Sequence, residues 1–446
     1  MCFSPWHILL EHTTYYYSLS WSFLNALDFL SHSSLIVNWL GLTCTFLSFQ
    51  FLTVFCFLFW IPDLPETILS PNVELVFFSL LWTGFLIVVL CSVGFSVEVW
   101  LDKPLGCDRG NPAYSIKIER IYATPVLMSG LASLFLSHND LVLIESHYCK
   151  TIRQLLRISE KTPRCVAYFV AGSMPGSAVI HLRQLGLFSM ICRLKNSILH
   201  EHAVNYFSAV TISPKSWFTQ IRDLCLMYRL PHPSIFLSSP LPKLEFKRLV
   251  KKRVIDYWEH QLRKKATELK SLEYFDPNFM SLVSPHPLWT TAGHSPSKVA
   301  MASVQASMLS GRYPIDKLTR HWSLKVSGYC TLHENCSNMM EDICHVLQHC
   351  TALNVTRFKL LDYTYSQIKD LPQILQNLVT NFLNLACPRF TSFLLDCSSI
   401  PEVITLNQSL DFDILTPLFD ITRTWVYVIH RERLKLRGQW KRPTRA

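Results

Sequence analysis

Charged residues and glycines are scarce in this chain, and its cysteines are few for its length. Asp, Glu, Lys and Arg make up 17% of the 446 residues, against about 25% in a typical soluble domain, whereas apolar residues make up 49%. This balance excludes an intrinsically disordered chain, which needs low hydrophobicity and high charge. The 13 glycines are too few for a collagen-like repeat, and 15 cysteines are too few for a small disulfide-linked scaffold.

Lysine and arginine are absent from residues 1–102. That segment carries seven acidic residues, and all 42 basic residues of the chain follow it. A break this sharp predicts two dissimilar pieces that meet near Lys103. We therefore treat residues 1–102 as a hydrophobic N-terminal region and residues 103–446 as a separate, basic part.

Two uncharged apolar stretches of the N-terminal region, residues 35–60 and 75–95, are long enough to cross a bilayer as helices, which takes about 20 apolar residues. The basic residues that begin with Lys103 place residues 103–446 in the cytoplasm by the positive-inside rule. An apolar segment without any basic residue is also what translated noncoding DNA looks like. If the N-terminus is such a gene-model artefact, we expect a cytoplasmic or nuclear protein without a membrane anchor.

Familiar catalytic motifs are missing as well. The chain has no G-x-S-x-G nucleophile elbow, no Walker A loop, no G-x-G-x-x-G fingerprint and no H-E-x-x-H metalloprotease motif. Each of these motifs places a nucleophile, a phosphate or a metal at a defined point of a strand or helix. Because these motifs are absent, the sequence does not indicate a small-molecule substrate.

Helical spacing of apolar residues begins at about residue 110. In residues 141–158, for example, apolar residues recur at steps of three and four. Strand signals are sparse and centre on residues 165–170, which suit a helix equally well. We therefore expect a mainly α fold, preceded by the two candidate transmembrane helices.

The most basic of the predicted helices lies in residues 242–272. An apolar stripe that includes Phe246, Val250 and Val254 predicts its packed face. Cations on the remaining surface suit binding to nucleic-acid phosphates by counterion release, without sequence readout. The candidate nucleic-acid-binding residues are Lys247, Arg248, Lys251, Lys252, Arg263, Lys264 and Lys265. The alternative is an ordinary solvated face, and residues 423–445 repeat the same basic and aromatic mixture.

Residues from about 110 to 385 resemble the part of non-LTR (LINE-type) retrotransposon reverse transcriptase polyproteins that follows the polymerase palm. The matching runs keep the family's order and spacing, and they are NPAYSIKIERIYATPVLMSGLASL, IESHYCKTIRQLLRISEKTPRCVAYFVAGSMPGSAVIHLRQLGLF, SWFTQIRDLCLMYRLP and HPLWTTAGHSPSKVAMASVQASMLSGRY. The resemblance implies a helical thumb-like region and linker, followed by a zinc-knuckle-like Cys/His module. The expected segments are a thumb-like region over 103–210, a basic helical linker over 211–315, the Cys/His module over 316–360 and C-terminal helices with a basic tail over 361–446.

This resemblance makes missing residues informative about enzymatic activity. A polymerase needs two metal ions held by clustered carboxylates, which this family supplies from a Tyr-x-Asp-Asp motif and an upstream Asp. The chain has no Asp-Asp pair, and neither the family's palm nor its endonuclease domain has a counterpart in the chain. We therefore expect no enzyme activity and no catalytic residues.

A group of cysteines and histidines lies in residues 329–352. The resembling proteins carry a C-x2-C-x8-H-x4-C pattern, and this chain departs from its first half because His333 stands where a cysteine is expected. The first choice of metal ligands is Cys330, Cys336, His345 and Cys350; the second replaces Cys336 with His333. Either set offers the four nitrogen and sulfur ligands of a structural Zn²⁺ site. The alternative is a remnant of reduced thiols and surface histidines that no longer binds metal.

Two functional hypotheses follow from these features. The leading one is a degenerate, retrotransposon-derived reverse transcriptase fragment, which lacks the palm and active site and binds the RNA or DNA backbone non-specifically through its basic helices. The runner-up is a two-span membrane protein, inserted through residues 35–95, whose basic cytoplasmic helical domain binds proteins or anionic lipids.

Overall fold

The computed structural model describes residues 110–128, 130–209, 215–319, 327–385 and 388–438. Over these ranges the chain is mainly helical, which confirms the expected mainly α class. The described residues form no strand, only an isolated antiparallel bridge between Tyr329 and Met340. The predicted membrane segments 35–60 and 75–95 lie outside the described ranges, as do residues 439–446.

Helices of very different length make up the described part. In chain order the α-helices are α1 (Pro112–Ile118), α2 (Thr124–Leu127), α3 (His138–Leu156), α4 (Arg164–Ala171), α5 (Gly176–Arg193), α6 (Ile198–Ser208), α7 (Trp217–Met227), α8 (Pro233–Ser238), α9 (Lys243–Thr267), α10 (Pro287–Thr290), α11 (Pro296–Leu309), α12 (Asp316–Thr319), α13 (Asn354–Ile368), α14 (Gln373–Leu383), α15 (Arg389–Leu395), α16 (Pro401–Ser409) and α17 (Leu415–Leu436). The π-helical turns are Glu119–Ala123 and His345–His349. The 3₁₀ turns are Leu131–Ser133, Lys270–Leu272, Pro277–Phe279, Glu334–Cys336, Thr351–Leu353 and Cys397–Ser399.

Helix α5 is the centre of the first half of the fold, where it packs against α3, α7, α8 and α9. Its buried side chains Leu185 and Phe188 share an apolar cluster with Ile221 of α7 and with Val250 and Val254 of α9. Burial of such side chains contributes about 1.5–3 kcal/mol each. The cluster therefore determines which face of α9 is left to solvent. It also contains residues of both the predicted thumb-like region (103–210) and the predicted linker (211–315).

Residues 165–170, whose pattern suited a strand or a helix, lie inside α4 and are all buried. Gly172 ends this helix with a φ of +58°. A Cβ atom at that position would lie 1.9 Å from the Ser284 carbonyl oxygen, so only glycine allows the two segments to approach this closely. The same approach lets the His286 amide donate to the Val170 carbonyl over 3.2 Å.

Helix α17 is the centre of the second half, where it packs against α11, α13, α15 and the π-turn His345–His349. Its buried stripe includes the apolar residues Leu418, Val426 and Ile429. Two arginines of the same helix, Arg423 and Arg433, are buried with them. Buried guanidinium groups need acceptors nearby, and the acceptors of Arg433 lie beside the cysteine cluster.

The length and hydropathy of the described helices bear on whether any of them could span a membrane. No single one of them is long and apolar enough to cross a membrane. Helices α4 and α5 pass the length and composition test only when they are taken together, and they are bent by 65° at the break between them.

Candidate metal centre and basic helix

A tight turn brings the first two cysteines of the cluster together. The Cys330 amide donates to the Met339 carbonyl over 2.8 Å, which pairs the two arms of the turn. At its tip the Cys336 amide donates to the His333 carbonyl over 3.1 Å and closes the 3₁₀ turn Glu334–Cys336. The chain thus reverses direction between Cys330 and Cys336, and both side chains are buried.

A second turn supplies the histidine and the last cysteine. The Asp342 carboxylate accepts from the His345 amide over 2.8 Å and starts the helical segment. The segment then widens into the π-turn His345–His349, and the Cys350 amide donates to the His345 carbonyl over 2.7 Å. This hydrogen bond spans five residues, so Cys350 returns close to His345 instead of continuing along a regular helix.

The four predicted ligands converge on one point. One ligand atom from each of Cys330, Cys336, His345 and Cys350 lies within 4.8 Å of the others, and all four residues are buried. The Sγ atom of Cys330 lies 3.6 Å from that of Cys336 and 3.8 Å from that of Cys350, and the Cys336 and Cys350 sulfurs are 4.0 Å apart. A tetrahedron with zinc–sulfur bonds of about 2.3 Å has edges of about 3.8 Å. The sulfur triangle therefore has the size of one face of a tetrahedral zinc site.

His345 provides an independent test of whether a metal fits. Both ring nitrogens of this buried histidine lack a hydrogen-bond partner among the described residues. An unpartnered polar atom in the interior is costly and needs an explanation. A metal ion bound by one ring nitrogen supplies a partner for that nitrogen, and three sulfurs with one imidazole are a donor set that Zn²⁺ prefers. The cluster can thus hold a metal ion.

Burial is the main influence on protonation of the cluster. Burial raises the pKa of the Cys330 thiol to about 12, and burial together with the charge of Cys336 raises the pKa of Cys350. Burial opposes ionisation of Cys336, but its hydrogen bonds with Thr351 and with the Cys330 thiol outweigh burial and lower the pKa of Cys336. Burial also lowers the pKa of His345, which leaves its ring neutral and able to coordinate. A metal ion would take the place of the thiol protons.

His333, the alternative to Cys336, does not belong to the cluster. Its side chain is exposed, and its Nδ1 atom accepts a hydrogen bond from the Asn335 amide over 3.1 Å. That contact starts the turn that carries Cys336 inward. The geometry therefore favours the ligand set with Cys336 and gives His333 a local role in shaping the turn.

Charged residues beside the cluster form a network that sequence reasoning missed. The Glu341 carboxylate accepts from Arg433 over 3.0 Å and from Arg437 over 2.8 Å, and Arg437 also donates to Asp316 over 2.6 Å. A signal for it was present, because Arg433 and Arg437 follow the buried Ile429 at four-residue steps and so continue the packed stripe of α17.

The predicted nucleic-acid-binding residues divide into two groups. Six of the seven have exposed side chains, namely Lys247, Arg248, Lys251, Lys252, Lys264 and Lys265. Arg263 differs, because its guanidinium binds Glu259 over 2.7 Å and donates to the carbonyls of Pro277 and Met280 over 3.1 Å each. These contacts hold the Pro277–Met280 segment against α9. Arg263 is therefore engaged inside the fold, and we leave it out of the exposed basic surface.

Comparisons of the chain with protein-family models, with curated proteins and with solved structures found no match. A functional interpretation therefore rests on the geometry of the cysteine cluster, on the exposed charge of α9 and on the sequence resemblance.

Proposed function

We propose that this chain is a non-catalytic, retrotransposon-derived protein that binds the RNA or DNA backbone through the exposed cations of α9. In this proposal Cys330, Cys336, His345 and Cys350 hold one structural Zn²⁺ ion. The proposed origin rests on the sequence resemblance alone. The proposed lack of polymerase activity rests on the absence of an Asp-Asp pair from the sequence.

The observation that carries the proposal is a cluster of cations on the first half of α9. Lys247, Arg248, Lys251 and Lys252 occupy helix positions i, i+1, i+4 and i+5, which share one broad face. All four are exposed, and none forms an ion pair with another described residue. Cations without a protein partner are free to neutralise phosphates and release the counterions condensed on nucleic acid.

Zinc has a structural role in this proposal. Four protein ligands complete a tetrahedral site and leave no open position for water or substrate. The ion would fasten the Cys330–Cys336 turn to the His345–Cys350 turn through ligands from both. Binding free energy at such a site is folding free energy.

The test is nucleic-acid binding by the full chain as a function of salt concentration. Affinity for a non-specific DNA duplex is compared between the wild type and a variant with Lys247, Arg248, Lys251 and Lys252 changed to Gln. The slope of log affinity against log salt changes by about 0.9 for each phosphate contact, so we expect the variant's slope to be shallower by about 3 to 4. The matched control changes four other exposed lysines to Gln and is expected to keep the wild-type slope; these are Lys150, Lys195, Lys359 and Lys369.

Two results would contradict the proposal. Equal slopes in the α9 variant and the control variant would show that α9 is not the contact surface. Binding to anionic phospholipid vesicles, without binding to RNA or DNA, would favour the two-span membrane protein with a basic interaction domain.

A further inference from the structure

Glu341 occupies a position between the metal ligands and the C-terminal helix. Its amide donates to the Gly328 carbonyl over 3.0 Å, on the same paired arms that carry Cys330. It also precedes, by four residues, the ligand His345 in the second turn. Any arrangement of the two turns that gathers the four metal ligands therefore also sets the position of the Glu341 carboxylate.

That carboxylate is the acceptor for Arg433 of α17 and for Arg437, the residue that directly follows this helix. Its side chain is fully buried, and so is the side chain of Arg433, which binds it through both Nε, over 3.1 Å, and Nη2, over 3.0 Å. Arg437 binds both Glu341 and Asp316, and the Glu341 carboxylate further accepts from the Asp316 amide over 2.7 Å. Two carboxylates and two guanidinium groups thus balance their charges in the interior.

Other contacts of Arg433 depend on the same placement. Its guanidinium lies 5.3 Å from the centre of the Tyr313 ring and donates to the Pro314 carbonyl over 2.9 Å. The Tyr313 hydroxyl in turn contacts Nδ1 of His430 on α17 over 2.7 Å. If the turns that carry Glu341 came apart, Arg433 would remain buried without its carboxylate, and an uncompensated buried charge is strongly unfavourable.

We propose that metal binding by the cysteine cluster and docking of the C-terminal half of α17 are one coupled equilibrium, with Glu341 as the link; this inference rests on the proposed zinc site. The metal gathers the two turns, and the turns place Glu341. Glu341 then compensates the buried charge of Arg433 and the partly buried charge of Arg437. Thermodynamic linkage makes the effect reciprocal. If docking of α17 strengthens metal binding by a given free energy, metal binding strengthens docking of α17 by the same free energy. Glu341, Arg433 and Arg437 act as positioning residues and do not touch the metal.

The first experiment measures zinc affinity in the full chain by competition with a chelator. Arg433→Met removes the buried guanidinium, and Lys435→Met makes the same change in charge on the exposed side of the same helix. We expect Arg433→Met to weaken zinc binding by about 5- to 150-fold, the usual range for coupled sites. Lys435→Met is expected to change zinc affinity less than twofold.

The second experiment needs no substitution, so it remains decisive if Arg433→Met fails to fold. Amide hydrogen exchange of the wild-type chain is compared with zinc bound and after removal of zinc by a chelator under reducing conditions. The amides of residues 429–437 should exchange faster without zinc, whereas those of α5, which lies in the other half of the fold, should keep their rates.

The outcomes separate the coupling from the zinc site itself. If the wild type and Arg433→Met each bind one zinc with equal affinity, the coupling is refuted and the zinc site stands. Unchanged exchange of residues 429–437 after zinc removal refutes the coupling in the same way. A wild-type chain that binds no zinc refutes the proposed zinc site, and the coupling with it.

Discussion

Helices α9 and α17 have similar compositions but use their cations in opposite ways. Both mix basic and aromatic residues. On α9, cations such as Lys247 and Lys251 are exposed and have no ion pair among the described residues. On α17, Arg433 is fully buried against Glu341, which lies 92 residues earlier in the chain. A basic helix can therefore offer its cations to a ligand only where no distant acid has already engaged them.

The comparison also separates what each helix can contribute. The buried Arg433 of α17 is held by a bidentate pair of hydrogen bonds to Glu341 in a water-poor interior, where loss of one partner leaves a bare charge. The exposed lysines of α9 are hydrated and screened by salt, so they add little to the stability of the fold. We therefore expect substitutions on α17 to change stability and substitutions on α9 to change nucleic-acid binding.

The largest expected effect separates the two helices by stability. Arg433→Met leaves Glu341 with one guanidinium fewer, and removal of one partner of a buried ion pair typically costs about 3–5 kcal/mol. Arg248→Met on α9 should stay within about 0.5 kcal/mol of the wild type, as exposed substitutions usually do. Urea unfolding in excess zinc measures both free energies. Equal losses of unfolding free energy in Arg433→Met and Arg248→Met would contradict the proposed difference between α17 and α9.

A second prediction concerns pH and the half-buried His430 of α17. Burial, with a contribution from the charge of Arg433, lowers the pKa of His430 to about 4. An unfolded histidine has a pKa of about 6.5, so between these values the unfolded chain binds the proton more readily than the folded chain. The stability contributed by neutral His430 is therefore complete above pH 6.5 and is lost as the pH falls towards 4, by at most about 1.4 kcal/mol per pH unit.

The measurement is urea unfolding of the wild type and of His430→Gln between pH 7 and pH 4. His430→Gln keeps a polar group near the Tyr313 hydroxyl but cannot take up the proton, so its stability should fall less steeply with acid. His260→Gln on α9 is the matched control because the His260 side chain is exposed. If the stability of His430→Gln falls with pH as steeply as that of the wild type, His430 does not contribute to the pH dependence of stability.

The smallest effect is expected from a single cation of α9. Lys251→Gln should reduce the salt slope of DNA binding by about 1, the contribution of one phosphate contact. Its unfolding free energy should not differ measurably from that of the wild type, because the lysine is exposed. A loss of DNA binding that is accompanied by a loss of stability would mean that α9 acts through the fold and not through its charge.

Local patterns were sufficient to predict the class of the fold. Helical spacing predicted the mainly α architecture, and the packed stripe with Phe246, Val250 and Val254 is buried as expected. Residues 165–170 could not be assigned, because a short buried run suits a strand and a helix equally. Tertiary contact decides there: the buried faces around α4 and the close approach at Gly172 are made by residues far away in the chain.

The candidate site was only partly predictable for a related reason. Ligand spacing allowed Cys336 or His333, and only the turn geometry, which points Cys336 inward and leaves His333 exposed, separates them. The pairing of Glu341 with Arg433 and Arg437 joins segments about a hundred residues apart. A single sequence does not indicate which residues of two such distant segments will meet. The role of Arg263 could not be predicted for the same reason. Its acceptors are the carbonyls of Pro277 and Met280, and they reach Arg263 only because the chain folds back against α9.

Cobalt substitution of the full chain tests the metal centre most directly. Tetrahedral Co²⁺ bound by three thiolates and one imidazole has strong visible absorption and sulfur-to-metal charge-transfer bands, which report both geometry and ligand type. We expect one Co²⁺ per chain, displaced by Zn²⁺, with the bands lost in Cys336→Ala and retained in His333→Ala. A wild-type chain that binds no metal under reducing conditions, or bands that depend on His333 and not on Cys336, would contradict it.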